Sequence, residues 1–283
     1  MGVFISSFLK INSTIILFLI FLLIPPLSKS QESNCTIPDV PFKAGETVTY
    51  RAVYSWGFVW VNAGDVLFRV YDTTYSQKPA IYFKSYGWSL KQYDWFFKVR
   101  DRFESIVDPE TLQPFWFERD THEGGFTAYN HYVINRSKNE LDIISYNSDR
   151  PYKHEYLPLK PCTFDVLSAI YYCRTLSFNG LNIGDKIPLT MAIDNEIFDL
   201  YVKYLGKERL ETRDGMVFNT IKFSALLVEG TIFKGGEDLT VWVTDDQNRI
   251  PLLVEAKILV GSVKAVITGM ENLKYPLTSL IER

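Results

Sequence analysis

The chain has 283 residues, with 33 acidic against 30 basic side chains and a net charge of −3 at pH 7. No run of Lys or Arg occurs, so nucleic acid is excluded as a partner on the ground that phosphate binding needs clustered positive charge. Aromatic residues make up 15% of the sequence, a bias toward pleated sheet and wide apolar surface.

Lys10, the unbroken apolar run Ile15 to Ile24 and the small residues around Ser28-Lys29-Ser30 are the three parts of a signal peptide over residues 1–30, with Gln31 as the mature start. That run covers ~15 Å at ~1.5 Å per residue, half of a ~30 Å hydrocarbon core, so no transmembrane span is expected in the mature chain. Cys35 follows Glu32-Ser33-Asn34 instead of the small apolar residues of a lipid-attachment signal, and it is not read as an anchor. The product is expected to be exported.

From Phe42 the strands come in quick succession. TVTYRAVY alternates strictly, Gly57 turns it, and VWVNAGDVLFRVYD returns with Gly64 marking a bulge or a close backbone approach. AIYFKSYGWS and WFFKVRDRFESIVD follow. In the latter, Phe97, Val99, Asp101 and Phe103 share one face, and Lys98, Arg100, Arg102 and Glu104 form a charged, solvated row on the other. After the Asp108-Pro109 turn, PFWFE, FTAYNHYVIN and ELDIISYN complete the first half as a meander.

The one helical stretch is KPCTFDVLSAIYYCR, Lys160 to Arg174. Thr163 is its expected N-cap, Asp165 lies in the first turn, and Phe164, Leu167, Ile170, Tyr171 and Arg174 fall on one stripe of an amphipathic helix that would dock on a sheet. KIPLTMAI, EIFDLYVKYLGKERLE, MVFNTIKFSALLVEG, DLTVWVTDD, LLVEAKILVG and SVKAVITGMENL then read as strands between turn signals. Gly45-Glu46 and Gly184-Asp185 open the two halves alike, and each half repeats a turn followed by proline, three apolar residues and glutamate (Pro114 to Glu118, Pro251 to Glu255). The expected organisation is a leader at 1–30, a first β half at 31–159, a helix and joint at 160–178 and a second β half at 179–283.

The three cysteines allow one internal bridge at most. Cys162 and Cys173 on one helix would stand ~16 Å apart, beyond the ~7 Å reach of a disulfide, so one end must be Cys35. Cys35 to Cys162 is the favoured pair, with Cys173 read as a small buried hydrophobe. His122, His131 and His154 lack metal-ligand spacing, no nucleophile elbow or phosphate loop occurs, and neither a catalytic residue, a metal nor a cofactor is expected. A hydrolase built on Ser168 or Asp101 is the least favoured reading. Asp101 on an apolar strand face needs a partner, for which Arg174 is the candidate. Trp88, Tyr93, Trp95, Phe96 and Phe97, joined by Trp56 and Trp60, are candidates to line an aromatic pocket for an apolar or sugar ligand.

FKAGETVTY at 42–50, NAGDV at 62–66, DWFFKVRD at 94–101, DVLSAIYY at 165–172, GTIFKGGE from 230 and VWVTDD at 241–246 are motifs by which the chain resembles the DUF3108 family of exported bacterial proteins of unknown function. The most specific is D-x-L-S-A-x-Y-x-x-R from Asp165 to Arg174. The resemblance implies a protein of the Gram-negative periplasm and brings no established activity. The expected fold is a strongly curved antiparallel sheet or incomplete barrel with one central helix packed on it, in outline like lipid-carrier and lipocalin folds. The leading expectation for function is non-catalytic binding or carriage of a lipid, glycolipid or other amphipathic envelope molecule on a concave aromatic face. The competing one is an envelope scaffold that binds protein through its sheet edges.

Overall fold

The structure, a computed structural model, describes residues 35, 37, 39–56, 59–227, 236–257 and 262–282; the expected leader at 1–30 lies outside the described residues. The first half forms β1 (Thr47–Trp56), β2 (Val59–Tyr75), β3 (Lys78–Ser89), β4 (Val99–Val107), β5 (Pro114–Glu123), β6 (Phe126–Asn135), β7 (Glu140–Asn147) and β8 (Lys153–Pro158). A two-residue strand β9 (Thr163–Phe164) and one helix α1 (Val166–Cys173) follow. The second half forms β10 (Lys186–Ile193), β11 (Glu196–Glu211), β12 (Val217–Leu227), β13 (Gly236–Thr244), β14 (Pro251–Lys257), β15 (Ser262–Glu271) and β16 (Leu280–Glu282).

These strands make one curved, open sheet. β1 to β8 meander in chain order, β10 to β15 do the same, and β15 returns to pair antiparallel with β1 from Thr47↔Glu271 to Ser55↔Ser262. The free ends of the series are β8 and β9, and β16 pairs with β12 off the main path. At Gly64 an added Cβ would stand 2.3 Å from the Trp88 carbonyl oxygen, so the close approach of β2 to β3 requires glycine there.

One face of the first meander packs on α1. Phe83 of β3, Val107 of β4, Phe117 of β5, Tyr132 of β6 and Leu141 and Ile143 of β7 share one core cluster with Phe164, Leu167, Ala169 and Tyr171. Tyr171 stacks on Phe83 with ring centroids 3.8 Å apart, and Phe42 meets both edge-on. Each of these fully buried large side chains contributes roughly 1.5–3 kcal/mol. The segment after α1 covers the second meander: Leu176 and Phe178 pack on Val202, Tyr204, Ile221, Phe223, Val241 and Val243.

The helix is shorter than the spacing predicts, and its cap is Asp165, not Thr163. The Asp165 carboxylate accepts the N–H groups of Leu167 (2.8 Å) and Ser168 (2.9 Å), and the Ser168 hydroxyl accepts the Asp165 N–H, a reciprocal capping box. The Thr163 hydroxyl instead donates to the Lys160 carbonyl, inside a turn where Cys162 takes φ +54°. Ile170, expected on the packed stripe, is exposed, because the buried face runs through Leu167, Ser168, Ala169 and Tyr171. β4 also starts later than expected. Lys91–Tyr93 form a short 3-10 turn, and strand pairing begins only at Val99.

Candidate functional site

The signature stretch of α1 is a structural hub. Arg174 is buried and makes a double contact with buried Glu46, Nη1 to Oε1 at 2.5 Å and Nη2 to Oε2 at 3.1 Å. Its Nη2 and Nε also donate to the Asn248 carbonyl, and the guanidinium lies over the rings of Phe42 and Tyr171. Asn248 exchanges hydrogen bonds with the backbone of Tyr275, and Asp246 accepts from Asn248 N–H and the Ser279 hydroxyl. At the other end of the helix Asp165 is buried and accepts a further hydrogen bond from the Ser105 hydroxyl at 2.6 Å. Burial drives its pKa up to about 6 despite these donors. Ser168 is wholly buried and used by the cap, so it offers no accessible nucleophile.

The expected pair of Asp101 with Arg174 does not form. α1 ends beside Glu46, where β1 begins, whereas Asp101 lies near the start of β4, three strands along the sheet and in the register row of Tyr50. Asp101 accepts the His122 N–H at 3.2 Å, and burial, reinforced by the negative charge of Glu123, pushes its pKa to about 6. His122, His131 and His154 each stand beside a carboxylate, of Asp120, Glu118 and Asp142 respectively. Among the described residues no group of three His, Cys, Asp or Glu side chains could hold a metal ion. Cys35 and Cys162 are joined in a disulfide with Cα atoms 5.8 Å apart, which fastens the N-terminal segment beside the helix.

The aromatic candidates do not line a concave interior, because the side chains facing α1 already fill it. They gather at one end of the sheet, where β1 turns to β2, β3 to β4 and β5 to β6. There the Asp94 carboxylate receives the Ser89 hydroxyl (2.5 Å) and the Arg100 guanidinium (2.6 Å), which holds it ionised below the usual range and fixes the β3–β4 connection. Pinned this way, the connection presents Trp95 (85% exposed) and Phe96 (76%) to solvent, while Phe97 lies against the glycine turn at Gly124. Trp60 (57% exposed) stands on the neighbouring β1–β2 hairpin with the Lys264 ammonium 4.9 Å from its ring. The side chain of Trp56 lies outside the described residues. The exposed rings of the β3–β4 connection form the kind of apolar patch that marks an interaction site.

Trp88 belongs to a second feature, the face of β3–β8 turned away from α1. A shallow depression of about 410 Å³ is lined there by Tyr86, Gly87, Trp88, Arg100, Asp101, Arg102, Asp120 and His122, so it brings together two of the candidates, Trp88 and Asp101. The charged row of β4, expected to be solvated, is drawn into this surface. Arg102 contacts Glu104 and Glu118 (2.6 Å), Lys84 reaches Glu104 at 3.0 Å, and Glu104 itself is buried. Cross-strand pairing explains the difference, since Glu104 sits opposite both Lys84 and Glu118.

The arrangement defines a barrel-like open sheet wrapped on one helix, with its polar chemistry committed to structure inside and its aromatic surface displayed at one end. A crystal structure of a β-barrel-like protein of the domain of unknown function DUF1849 from Brucella abortus is similar in fold, with a TM-score of 0.52 at 7% identity, covering 84% of this chain and 100% of that one. No curated protein matches the sequence. The family model for the protein of unknown function DUF3108 matches residues 47–268, and the chain belongs to that family.

Proposed function

We propose that the protein is an exported envelope protein of the Gram-negative periplasm that binds an apolar or amphipathic envelope molecule without transforming it. The observation that carries the reading is the run of exposed rings on the β3–β4 connection, Trp95, Phe96 and Phe97, with Trp60 also exposed on the β1–β2 hairpin. The Asp94–Arg100 pair holds the connection that carries Trp95, Phe96 and Phe97, so these three rings are presented to water at an unfavourable hydration free energy that contact with an apolar partner would relieve. Trp95 and Phe96 are the most exposed of them. The competing scaffold reading is less well supported. The free edge strand β8 is short, carries Lys153 and ends at Pro158, features that discourage strand addition.

The test is mass spectrometry of the protein purified without detergent, together with sedimentation on vesicles of phosphatidylethanolamine and phosphatidylglycerol. Wild type is expected to carry a stoichiometric lipid or to sediment with vesicles, and Trp95→Ala/Phe96→Ala to lose at least about tenfold in binding while melting unchanged. A wild type that is lipid-free and fails to sediment, or a double variant that binds as well as wild type, would overturn the reading.

A further inference from the structure

The face of β3–β7 turned away from α1 combines rings and paired charges in a regular order. Strand register places Tyr86 opposite Arg102, Arg102 opposite Asp120, Asp120 opposite Tyr129 and Tyr129 opposite Tyr146. One row across five strands thus runs aromatic, cation, anion, aromatic, aromatic. Tyr129 and Tyr146 stack at 5.0 Å, the Tyr129 hydroxyl donates to Glu118, and Tyr146 is 46% exposed. Trp88, in the next row beside Arg100, is 36% exposed. Packing on α1 takes the opposite face of these strands, so these rings are not needed for the core.

The charges in this row are already balanced. Arg102 is shared among Glu104, Glu118 and Asp120, Arg100 is held by Asp94, and His122 rests 3.2 Å from Asp120. A surface neutralised internally gives little attraction to an anion or a cation. It offers something else: fixed donors and acceptors side by side, between flat rings that present an apolar face. A hydroxyl both donates and accepts, so it can bridge a guanidinium and a carboxylate at once, and the C–H face of a pyranose lies flat on an indole or phenol ring.

We propose that this face is a binding platform for a neutral carbohydrate chain, with Tyr86 and Trp88 stacking sugar rings and Arg102 and Asp120 bonding their hydroxyls. The row is long enough for several sugars, because Tyr86 and Tyr129 are three strands apart, or ~14 Å at ~4.8 Å per strand. It uses different residues from the exposed rings of the β3–β4 connection, so the two proposals stand or fall separately.

Calorimetric titration of the purified protein with maltohexaose, cellohexaose, xylohexaose, mannohexaose and chitohexaose tests it, with hexagalacturonate as the acidic comparison. Saturable binding of at least one neutral hexasaccharide is expected, weakened about tenfold or more in Trp88→Ala and in Tyr86→Ala and unchanged in Trp95→Ala/Phe96→Ala. Tyr146→Ala, at an exposed position, serves if either platform variant melts early. Absence of binding by all five neutral chains, tighter binding of hexagalacturonate, or affinity unaltered by the platform substitutions would overturn the proposal.

Discussion

At the scale of single residues, the buried carboxylates set a pH dependence whose sign differs from that of ordinary ion pairs. The Asp101 carboxyl is raised from 3.8 to about 6, chiefly by burial and next by Glu123. Between those values the folded chain holds a proton that the unfolded chain has released, so this group lowers stability as pH rises from about 4 to about 6. Asp165 acts in the same direction. Carboxylates held low by partners, such as Glu155 beside Lys153, act oppositely, so the net slope is not diagnostic but a difference between variants is. Asp101→Asn removes the titration and keeps an acceptor for the His122 N–H. Urea midpoints should therefore shift in favour of Asp101→Asn at pH 7 relative to wild type by more than they do at pH 4. Equal shifts at the two pH values would mean that Asp101 ionises as an exposed carboxylate does.

At the scale of elements, the disulfide is the tie with the longest reach. Cys35 and Cys162 are 127 positions apart, and in the chain-entropy model a loop of that order restrains the unfolded state by roughly 4–5 kcal/mol, an upper figure because engineered and native bridges often deliver less. Cys35→Ser/Cys162→Ser should lower the denaturant midpoint and steepen the transition, because the unbridged unfolded chain is more expanded and exposes more surface. A variant as stable as wild type would show that the packing of Ile37 and Val40 on the first core holds the N-terminal segment unaided. Elements differ in how far the sequence reveals them. Hairpins were legible where turn chemistry is local, as at Asp194-Asn195, whose positive φ values fit the short β10–β11 turn. The start of β4 was not, because Trp95-Phe96-Phe97 has the composition of a strand while the Asp94–Arg100 contact draws it into an exposed connection. The helix start was misplaced for a similar reason. Thr163 and Asp165 are both good caps by type, and the choice between them rests on Ser168 answering Asp165 and on the constraint at Cys162.

At the scale of the whole molecule, the central question is how two meanders behave as one body, and the partner of Arg174 gives the answer. Glu46 is 128 positions away from it, a distance at which no periodicity or spacing can signal a contact, and the sequence pointed to Asp101 instead. In the fold, Arg174 gathers the entry to β1, the end of α1 and the turn before β14, and through Asn248 and Asp246 the C-terminal segment at Tyr275 and Ser279. The β1–β15 seam joins the same two meanders along their strands. Removing one partner of a buried pair leaves the other charged and uncompensated, which costs about 3–5 kcal/mol, whereas replacing both with apolar residues of similar size is far milder. Arg174→Ala should accordingly destabilise by about that amount, and Glu46→Leu/Arg174→Met by much less. The informative readout is spatial: hydrogen exchange followed by mass spectrometry on β5 in the first meander and β13 in the second. If the hub joins the meanders, protection falls by equal free energies in both peptides of Arg174→Ala, because each can open only with the other. Loss of protection confined to β13 would show the first meander folding on α1 and its disulfide alone, with the second merely docked to it along the seam.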